Sequence, residues 1–425
     1  MSAGPGTAAF AALARPRATA LRNAAAAPRR PIIGFAPNHW CDGWSSRRRI
    51  LEGLADRGWP TLYSSGARTV WDLGRPVWRT QPWLQTIARH ANLRIDQPGR
   101  LILRWPTRPL CDRIALAAHA KRLPRAFGSR AAGAPIALLF HPAFWPYVRH
   151  LRPSRVVYYV YDAYRLMPGW TEELARHEEE LASRADLIVA YSQGMLDGLP
   201  GHAAQRGRIL ATGVDMEPFE PGSAECPADL ARVPGPRIGY VGRINQKLDY
   251  ALVLEVAQRR PQWHWVFVGA IGADANGRFA VDAQAEALWS RCRALPNVHV
   301  LGPKEHDEVP SYLLNMDVNV MCYRTQGEGW WSRIFPLKSM EYLAAGKPVV
   351  STPVKSMLRF GDNLAIATSA GEWIDAIDHA LGAGGVGTPA SRRETARANT
   401  WDRKIDSLHE WLLELVEDGR RPVRA

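Results

Sequence analysis

The sequence contains no long apolar run. No window of the 425-residue chain approaches the roughly 18 to 20 continuous apolar residues that a membrane-spanning helix needs, which excludes an integral membrane protein. Residues 1–30 contain no acidic residue, and their apolar stretch from Ala8 to Leu13 is short for a secretory signal. We therefore predict a disordered leader over 1–30.

Cysteine is scarce and scattered, with no C-x-x-C pair among its five copies. This spacing argues against a zinc site and against a disulfide framework, and it fits the reducing cytoplasm in which we place the protein. The five are Cys41, Cys111, Cys226, Cys292 and Cys322.

Acidic residues are outnumbered, since 41 Asp and Glu face 54 Lys and Arg, for a net charge of +13. The arginines are spread along the chain in small clusters such as Arg47 to Arg49, and no nucleic-acid-binding motif accompanies them. Two interpretations stay open. One is a peripheral contact with anionic lipid at the inner face of the plasma membrane, and the other is a plain solvated basic surface.

Short apolar runs alternate with helical patterns from residue 31 onward, which predicts βαβ units and parallel sheets. A Pro- and Gly-rich stretch, 217–236, interrupts the alternation and divides it into two series. The fold class is therefore α/β, with two doubly wound domains facing each other. Predicted strands are Pro31 to Ala36, Pro60 to Ser64, Leu101 to Trp105, Ile136 to His141, Val156 to Asp162, Asp186 to Ser192, Arg208 to Val214, Arg237 to Val241, Trp263 to Gly269, Val298 to Leu301, Val318 to Tyr323, Pro348 to Thr352 and Leu364 to Thr368.

The last helix begins near Thr400, a plausible N-cap, and carries a stripe of apolar side chains at spacings of three and four. The stripe must be buried against another element. Its members are Ile405, Leu408, Leu412 and Leu415.

A short helix is predicted from about Pro336 to Ala345, because proline suits the first helical position and Gly346 suits the C-terminal cap. Its free N–H groups and Lys338 in its first turn would favour a phosphate. Lys338 and Glu341 lie three residues apart and share a helix face, so one can hold a diphosphate while the other accepts hydrogen bonds from sugar hydroxyls. The alternative is an exposed ion pair.

A second cationic pair, Arg243 and Lys247, follows Gly242 at the end of a predicted strand. Glycine permits close backbone approach, and the two cations can clamp phosphate. A basic loop with no such role is the alternative.

These segments resemble the GT-B-fold, retaining nucleotide-sugar glycosyltransferases of family 4, also called group 1. The N-terminal half resembles the bacterial branch that builds surface polysaccharides of the teichuronic acid type, through Pro37 to Ser65 and Arg176 to Ser192. The remaining motifs are GVDMEPF (Gly213 to Phe219), LPNVHVLGP (Leu295 to Pro303), DVNVMCY (Asp317 to Tyr323) and PLKSMEYLAAGKPVVST (336–352).

The resemblance implies two facing Rossmann-like domains, with a C-terminal helix that packs back across them. The implied segments are an N-terminal acceptor domain at 31–215, a linker at 216–236, a nucleotide-sugar donor domain at 237–385 and a C-terminal helical segment at 386–425.

In the donor domain, the resemblance implies that Arg243 and Lys247 bind the donor diphosphate and that Glu341 binds the ribose. Glu341 matches the second glutamate of an E-x7-E motif, but Arg333 stands where the first glutamate is expected. Three readings stay open: Glu328 replaces that glutamate, Arg333 itself holds the diphosphate, or transfer has been lost.

In the acceptor domain, Tyr161 and Asp162 stand where relatives carry a His-Asp pair. Asp162 is predicted to orient an acceptor hydroxyl, or else to cap a turn. Asn38, Asp42 and His141 are further acceptor-side candidates, and His141 is otherwise a satisfied structural group.

The predicted activity is the transfer of a sugar from a nucleoside diphosphate sugar to a glycan or lipid-linked acceptor, with retention at the anomeric carbon. The nucleotide sugar serves as co-substrate, and no metal is expected, because no Asp-x-Asp pair is positioned to hold one. The alternatives are a nucleotide-sugar epimerase and a catalytically degenerate GT-B scaffold that binds nucleotide sugar.

Overall fold

The structure, a computed structural model, describes residues 29–40, 44–72, 85–97, 101–130, 133–167, 169–220, 222, 225–272, 283–325, 327 and 329–417. The predicted leader lies outside these ranges except for its last two positions. Three residues singled out above also lie outside them: Cys41, Asp42 and Glu328. The four described cysteines are free thiols.

The first half of the chain forms an eight-stranded sheet of order β10-β9-β8-β7-β1-β2-β5-β4. All neighbours in it are parallel except β4 and β5, while β3 and β6 pair separately. The strands are β1 (Ile32–Phe35), β2 (Thr61–Ser64), β3 (Arg68–Thr69), β4 (Gln85–His90), β5 (Leu93–Gln97), β6 (Leu103–Arg104), β7 (Ile136–Leu139), β8 (Arg155–Val160), β9 (Leu187–Ala190) and β10 (Gly207–Ile209).

The second half forms a six-stranded, all-parallel sheet of order β13-β12-β11-β14-β15-β16. Its order reverses beside β11, as that of the first sheet does beside β1, and such switch points are where open α/β sheets bind ligands. The strands are β11 (Arg237–Val241), β12 (His264–Val268), β13 (Val298–Gly302), β14 (Val318–Met321), β15 (Val349–Ser351) and β16 (Ala365–Ile366).

One strand prediction is wrong in its placement. The run Leu101 to Trp105 contributes only β6, which joins β3 outside the main sheet. The edge of the main sheet is instead an antiparallel hairpin, β4 to β5, whose tight turn is Ala91 and Asn92. Edge strands tolerate polar residues, so this hairpin lacks the apolar run that identifies the central strands.

Helices cover both sheets. None among the described residues is long and apolar enough to cross a bilayer. The helices are α1 (Ser46–Asp56), α2 (Pro109–Arg122), α3 (Trp145–Leu151), α4 (Glu172–Arg184), α5 (Gln193–Asp197), α6 (Ala203–Arg206), α7 (Tyr250–Arg259), α8 (Ala283–Arg293), α9 (Val309–Leu314), α10 (Trp330–Arg333), α11 (Lys338–Ala344), α12 (Ala370–Ala383), α13 (Pro389–Arg397) and α14 (Trp401–Glu417).

The cores lie between the sheets and their helices. All six residues of β8 are buried, as expected of a parallel strand covered on both faces. Much of the tryptophan serves this packing, because five indoles are among the largest fully buried side chains: Trp59, Trp265, Trp289, Trp373 and Trp401.

The C-terminal helix α14 returns to the first sheet and packs on α1, as predicted. Ile405, Leu408 and Leu412 are buried, and Leu415 is partly buried. Trp59 Nε1 donates to His409 Nδ1 at 2.9 Å, and the Arg57 guanidinium pairs with Asp406 at 2.7 Å. The second half of the chain is thereby tied to the first.

The α1–α14 contact gives a prediction for Gly53→Ala. A Cβ on Gly53 would lie 2.3 Å from Ile405 Cδ1 inside the core. A helical Gly→Ala change normally gains up to about 1 kcal/mol, whereas overpacking costs about 1–3 kcal/mol. We expect a net loss of about 1–2 kcal/mol in the free energy of unfolding, measured by urea denaturation.

Gly382→Ala is the matched control, because Gly382 is also helical and a Cβ there meets no atom within 4 Å. It should be neutral or stabilising. Adding Ile405→Val to Gly53→Ala removes the clashing methyl and should recover part of the loss. An unchanged or raised stability of Gly53→Ala would show that α14 does not pack on α1 in this way.

Candidate active site

A cavity of about 340 Å³ lies between the carboxyl ends of the two sheets. Six of the predicted site residues line it, one from the first half of the chain and five from the second: Asp162, Gly242, Arg243, Lys247, Lys338 and Glu341. Much of the remaining lining is aromatic: Trp44, Tyr161, Tyr191, His306, Tyr323, Trp330 and Phe335. The structure therefore joins the two separate cationic motifs of the sequence in one site.

The end of β11 brings the backbone close to Lys338. Gly242 has a φ of 137°, and a Cβ there would lie 2.2 Å from Lys338 Nζ. Gly269, at the end of β12, has a φ of 147°, and a Cβ on it would lie 2.1 Å from the Gly242 carbonyl oxygen. Both positions therefore require glycine, and the one at Gly242 makes room for the lysine.

The amino group of Lys338 has no hydrogen-bond acceptor among the residues that the structure describes. Its Nζ lies 3.7 Å from the centroid of the Tyr240 ring, and it is buried with no hydrogen-bond partner. Burial, followed by the charge of Lys247, holds the pKa of Lys338 well below its ordinary value. The tyrosine face offsets part of the desolvation cost, but a bound anion would offset more.

Lys247 is the second buried cation of the cavity, with 9% of its surface exposed. Its Nζ lies 5.5 Å from the Tyr323 ring centroid and 5.9 Å from that of Trp330. Burial, and then Arg243, lower the pKa of Lys247 to about 8, while Asp162 acts in the opposite direction. The charged forms of Lys247 and Lys338 are both disfavoured in the empty protein, so a bound anion would stabilise them. The side of the cavity that these two lysines line is therefore an anion site.

Glu341 lies on the same side of the cavity and is partly buried. Burial raises the pKa of Glu341 to about 7, although Lys338 lowers it, and Asp215 adds to the rise. No ion pair within 4.0 Å joins Glu341 to Lys338 in the described part of the chain. The exposed ion pair considered as the alternative is therefore not formed.

The helix that carries these two residues is shorter than predicted. It spans Lys338–Ala344, and Pro336 lies before it. The reason is a tight turn, in which the Ser339 backbone N–H and hydroxyl both bond the Pro336 carbonyl, at 3.1 Å and 2.6 Å. Gly346 follows the helix with a φ of 72°, as the predicted terminator should.

Arg333 does not reach the 340 Å³ cavity. Its carbonyl accepts a hydrogen bond from Ser192 Oγ, and its backbone packs against Gly194 of α5. Its side chain lines two neighbouring cavities of about 190 and 430 Å³. In this arrangement, the residue at the place of the missing glutamate faces away from Lys338 and Glu341.

The described acceptor-side candidates lie in three different places. Asp162 lines the main cavity, whereas Asn38 lines a smaller one beside it. His141 lies in neither, because its Nδ1 accepts the Ala143 N–H at 3.1 Å and its ring packs edge-on against Tyr164. The structure therefore places His141 as a hydrogen-bonded structural group, which was the alternative interpretation of this residue.

Sequence reasoning overlooked Arg47, which is 5% exposed and lies 3.9 Å above the Tyr161 ring. In the sequence it is one member of a run of three arginines and gives no sign of burial. The one available signal is Ser45, a helix N-cap that places Arg47 in the first turn of α1.

Comparisons with known proteins place part of the chain beside the glycosyltransferases. A family model described as "Glycosyl transferases group 1" matches residues 235–382. The putative teichuronic acid biosynthesis glycosyltransferase TuaH of Bacillus subtilis (strain 168) is 29% identical over 235 residues, 53% of this chain and 56% of that protein. That match spans little more than half the length of either protein.

Solved structures share the fold. Sucrose-phosphate synthase from Thermosynechococcus elongatus matches with a TM-score of 0.65 and 18% identity, covering 91% of this chain and 99% of that one. Anabaena HepE in complex with UDP-glucose matches with a TM-score of 0.62 and 15% identity, covering 91% and 100%. The predicted fold is confirmed: the chain has the GT-B fold, and its residues 235–382 are similar to the group 1 glycosyl transferases.

Proposed function

We propose that this protein transfers a sugar from a nucleoside diphosphate sugar to a glycan or lipid-linked acceptor, with retention, in the synthesis of a surface polysaccharide. In this proposal, residues 237–385 bind the donor and residues 31–215 bind the acceptor, joined by the linker 216–236. The name of the Bacillus relative supports the polysaccharide assignment.

One observation carries the proposal: the cavity concentrates cations on the side where a donor diphosphate would lie. Lys338 Nζ is buried without a partner, and Lys247 is almost buried beside it. Such groups are costly in the empty protein and become favourable when an anion binds. During transfer, negative charge grows on the leaving diphosphate, and preorganised cations stabilise that charge more than they stabilise the bound donor.

Each remaining group receives a role from its place in the cavity. Glu341 lies three residues from Lys338 and would accept hydrogen bonds from the ribose hydroxyls. Asp162 approaches from the opposite sheet and would orient the acceptor hydroxyl. We propose that the side-chain cations neutralise the diphosphate, so that transfer continues when divalent metal is chelated.

The epimerase and the degenerate scaffold are less well supported. Asp162, Tyr161 and Trp44 of the first half face the cations across one continuous cavity, which suits a second substrate. An epimerase would leave that half of the cavity unused. Arg333 lines neighbouring cavities and does not obstruct the side of the main cavity that contains Lys338 and Glu341.

The test is a panel of UDP-, GDP-, ADP- and dTDP-sugars, assayed for binding by thermal shift and then for nucleotide release with and without candidate acceptors, in EDTA. We expect one base to raise the melting temperature and the matching sugar to release nucleotide when an acceptor is added. Binding with an altered sugar but no transfer would favour the epimerase. Binding without any release would favour the scaffold, and no binding to any donor would overturn the proposal.

A further inference from the structure

A second cavity, of about 140 Å³, adjoins the first on the side of the N-terminal half. The two share Trp44, Tyr161 and Leu337 in their walls. The rest of its lining comes from the loop after β1 and the start of α1: Asn38, His39, Ser45 and Arg47. A ligand that occupied both cavities would therefore contact these three shared residues and extend from the smaller cavity toward Asp162.

Arg47 gives this cavity a buried positive charge. One guanidinium nitrogen donates to Asn38 Oδ1 at 2.6 Å, and Nε has no hydrogen-bond partner. Among the described residues, no carboxylate lies within 4.0 Å of the Arg47 guanidinium. The Tyr161 ring below it supplies only a quadrupole, so no described residue gives this charge an anionic partner.

The surrounding groups add positive potential. The 11-residue helix α1 begins at the cavity, with Ser45 as its N-cap and no acid in its first turn, so no side chain of that turn neutralises the positive end of its dipole. His39 Nε2 lies 2.6 Å from an Arg68 guanidinium nitrogen, which can only donate, so Nε2 is the acceptor. Nδ1 then donates to Ser65 Oγ at 2.8 Å, and the positive potential at this point comes from the Arg68 guanidinium.

We propose that this cavity binds an anionic group of the acceptor, either a carboxylate or a phosphate. The inference rests on the proposed transferase function and specifies the acceptor class of that site. A volume of about 140 Å³ is that of four or five waters in the liquid, enough for one such oxyanion. An arginine fork and a helix N-terminus are the groups that bind such an oxyanion well.

The experiment measures the binding of glucose, glucuronate and glucose 6-phosphate by calorimetry, with the protein saturated by whichever nucleoside diphosphate it binds. The glucuronate and glucose 6-phosphate arms distinguish a carboxylate from a phosphate. We expect at least one of them to bind about 10- to 100-fold more tightly than glucose, as a charge-assisted hydrogen bond provides. Arg47→Gln should remove that preference while nucleotide binding persists.

Two further variants complete the test. Asn38→Asp keeps the size of the side chain and places a carboxylate against Arg47, so it should also abolish the preference without opening the core. Arg48→Gln is the matched control, because Arg48 is the next residue of α1 and pairs with Glu52 instead. It should keep the preference.

The outcomes separate the two proposals. A wild-type protein that binds nucleotide but shows no preference for either anionic sugar would overturn this inference alone. A preference that survives in Asn38→Asp, or in an Arg47→Gln protein that still binds nucleotide, would also overturn it. A wild-type protein that binds no nucleotide at all would overturn the transferase proposal itself.

Discussion

Lys338→Met should make the ligand-free protein more stable and its affinity for a nucleoside diphosphate about 100-fold weaker or worse. The buried Nζ of Lys338 has no hydrogen-bond partner, so folding removes its water and returns only a contact with the Tyr240 ring. Methionine fills a similar volume with no charge. We expect a gain of about 1–3 kcal/mol in the free energy of unfolding, because a buried unsatisfied group is lost.

The loss of affinity has the same physical origin. A diphosphate oxygen would give Lys338 the acceptor that it lacks in a site already stripped of water, where charge-assisted bonds are strong. Chemical denaturation and calorimetry measure the two effects on the same protein. Lys121→Met removes an exposed lysine at the end of α2 and should change neither quantity by much. A variant that is both less stable and unchanged in affinity would contradict the assignment.

Glu341→Gln should stabilise the ligand-free protein at pH 8 but not at pH 4. The folded-state pKa of Glu341 is raised from 4.5 to about 7. Well below pH 4.5 the Glu341 carboxyl is protonated in both the folded and the unfolded state, so it does not affect the free energy of unfolding. As the pH rises toward 7, the unfolded state ionises first, and the wild type loses up to about 3 kcal/mol, an upper bound because the side chain is partly exposed. Glutamine does not titrate and escapes this loss.

The same residue should be needed for donor binding. Glu341→Ala removes the carboxylate proposed to accept the ribose hydroxyls, and we expect affinity for the nucleoside diphosphate to fall about 10- to 100-fold. Urea unfolding at several pH values and thermal shift with nucleotide provide the two readouts. Glu410→Gln, which changes an exposed carboxyl on α14, is the control. Wild-type affinity in Glu341→Ala would refute the ribose assignment.

The sequence predicted the fold through its regular features. Central strands such as β1 and β11 are short, largely apolar runs in a regular alternation with helices, so their existence and parallel arrangement follow from pattern alone. The hairpin β4 to β5 could not be found in this way, because its strands lie at an edge and carry many polar residues. The place of this hairpin in the sheet depends on the pairing of β5 with β2. A local sequence pattern contains no information about that distant contact.

The side of the cavity proposed to bind the donor could be predicted for a similar reason. Arg243, Lys247, Lys338 and Glu341 each follow a strand or open a helix, and the topology brings such positions together. The order of strands and helices does not determine the direction in which a side chain points. Arg333 turns away because its backbone is held by α5, and Arg47 turns inward over Tyr161 because a distant strand places that ring there. Both facts depend on contacts between segments far apart in sequence.

The central claim is that the cavity between the two sheets holds the donor, with its diphosphate on the lysine side. A crystal structure of the complex with the nucleoside diphosphate selected by the binding panel tests it most directly. We predict phosphate oxygens within about 3 Å of Lys338 Nζ and the Arg243 guanidinium, and ribose hydroxyls on the Glu341 carboxylate. A nucleotide bound in the cavities beside Arg333, with Lys338 and Glu341 untouched, would contradict the account.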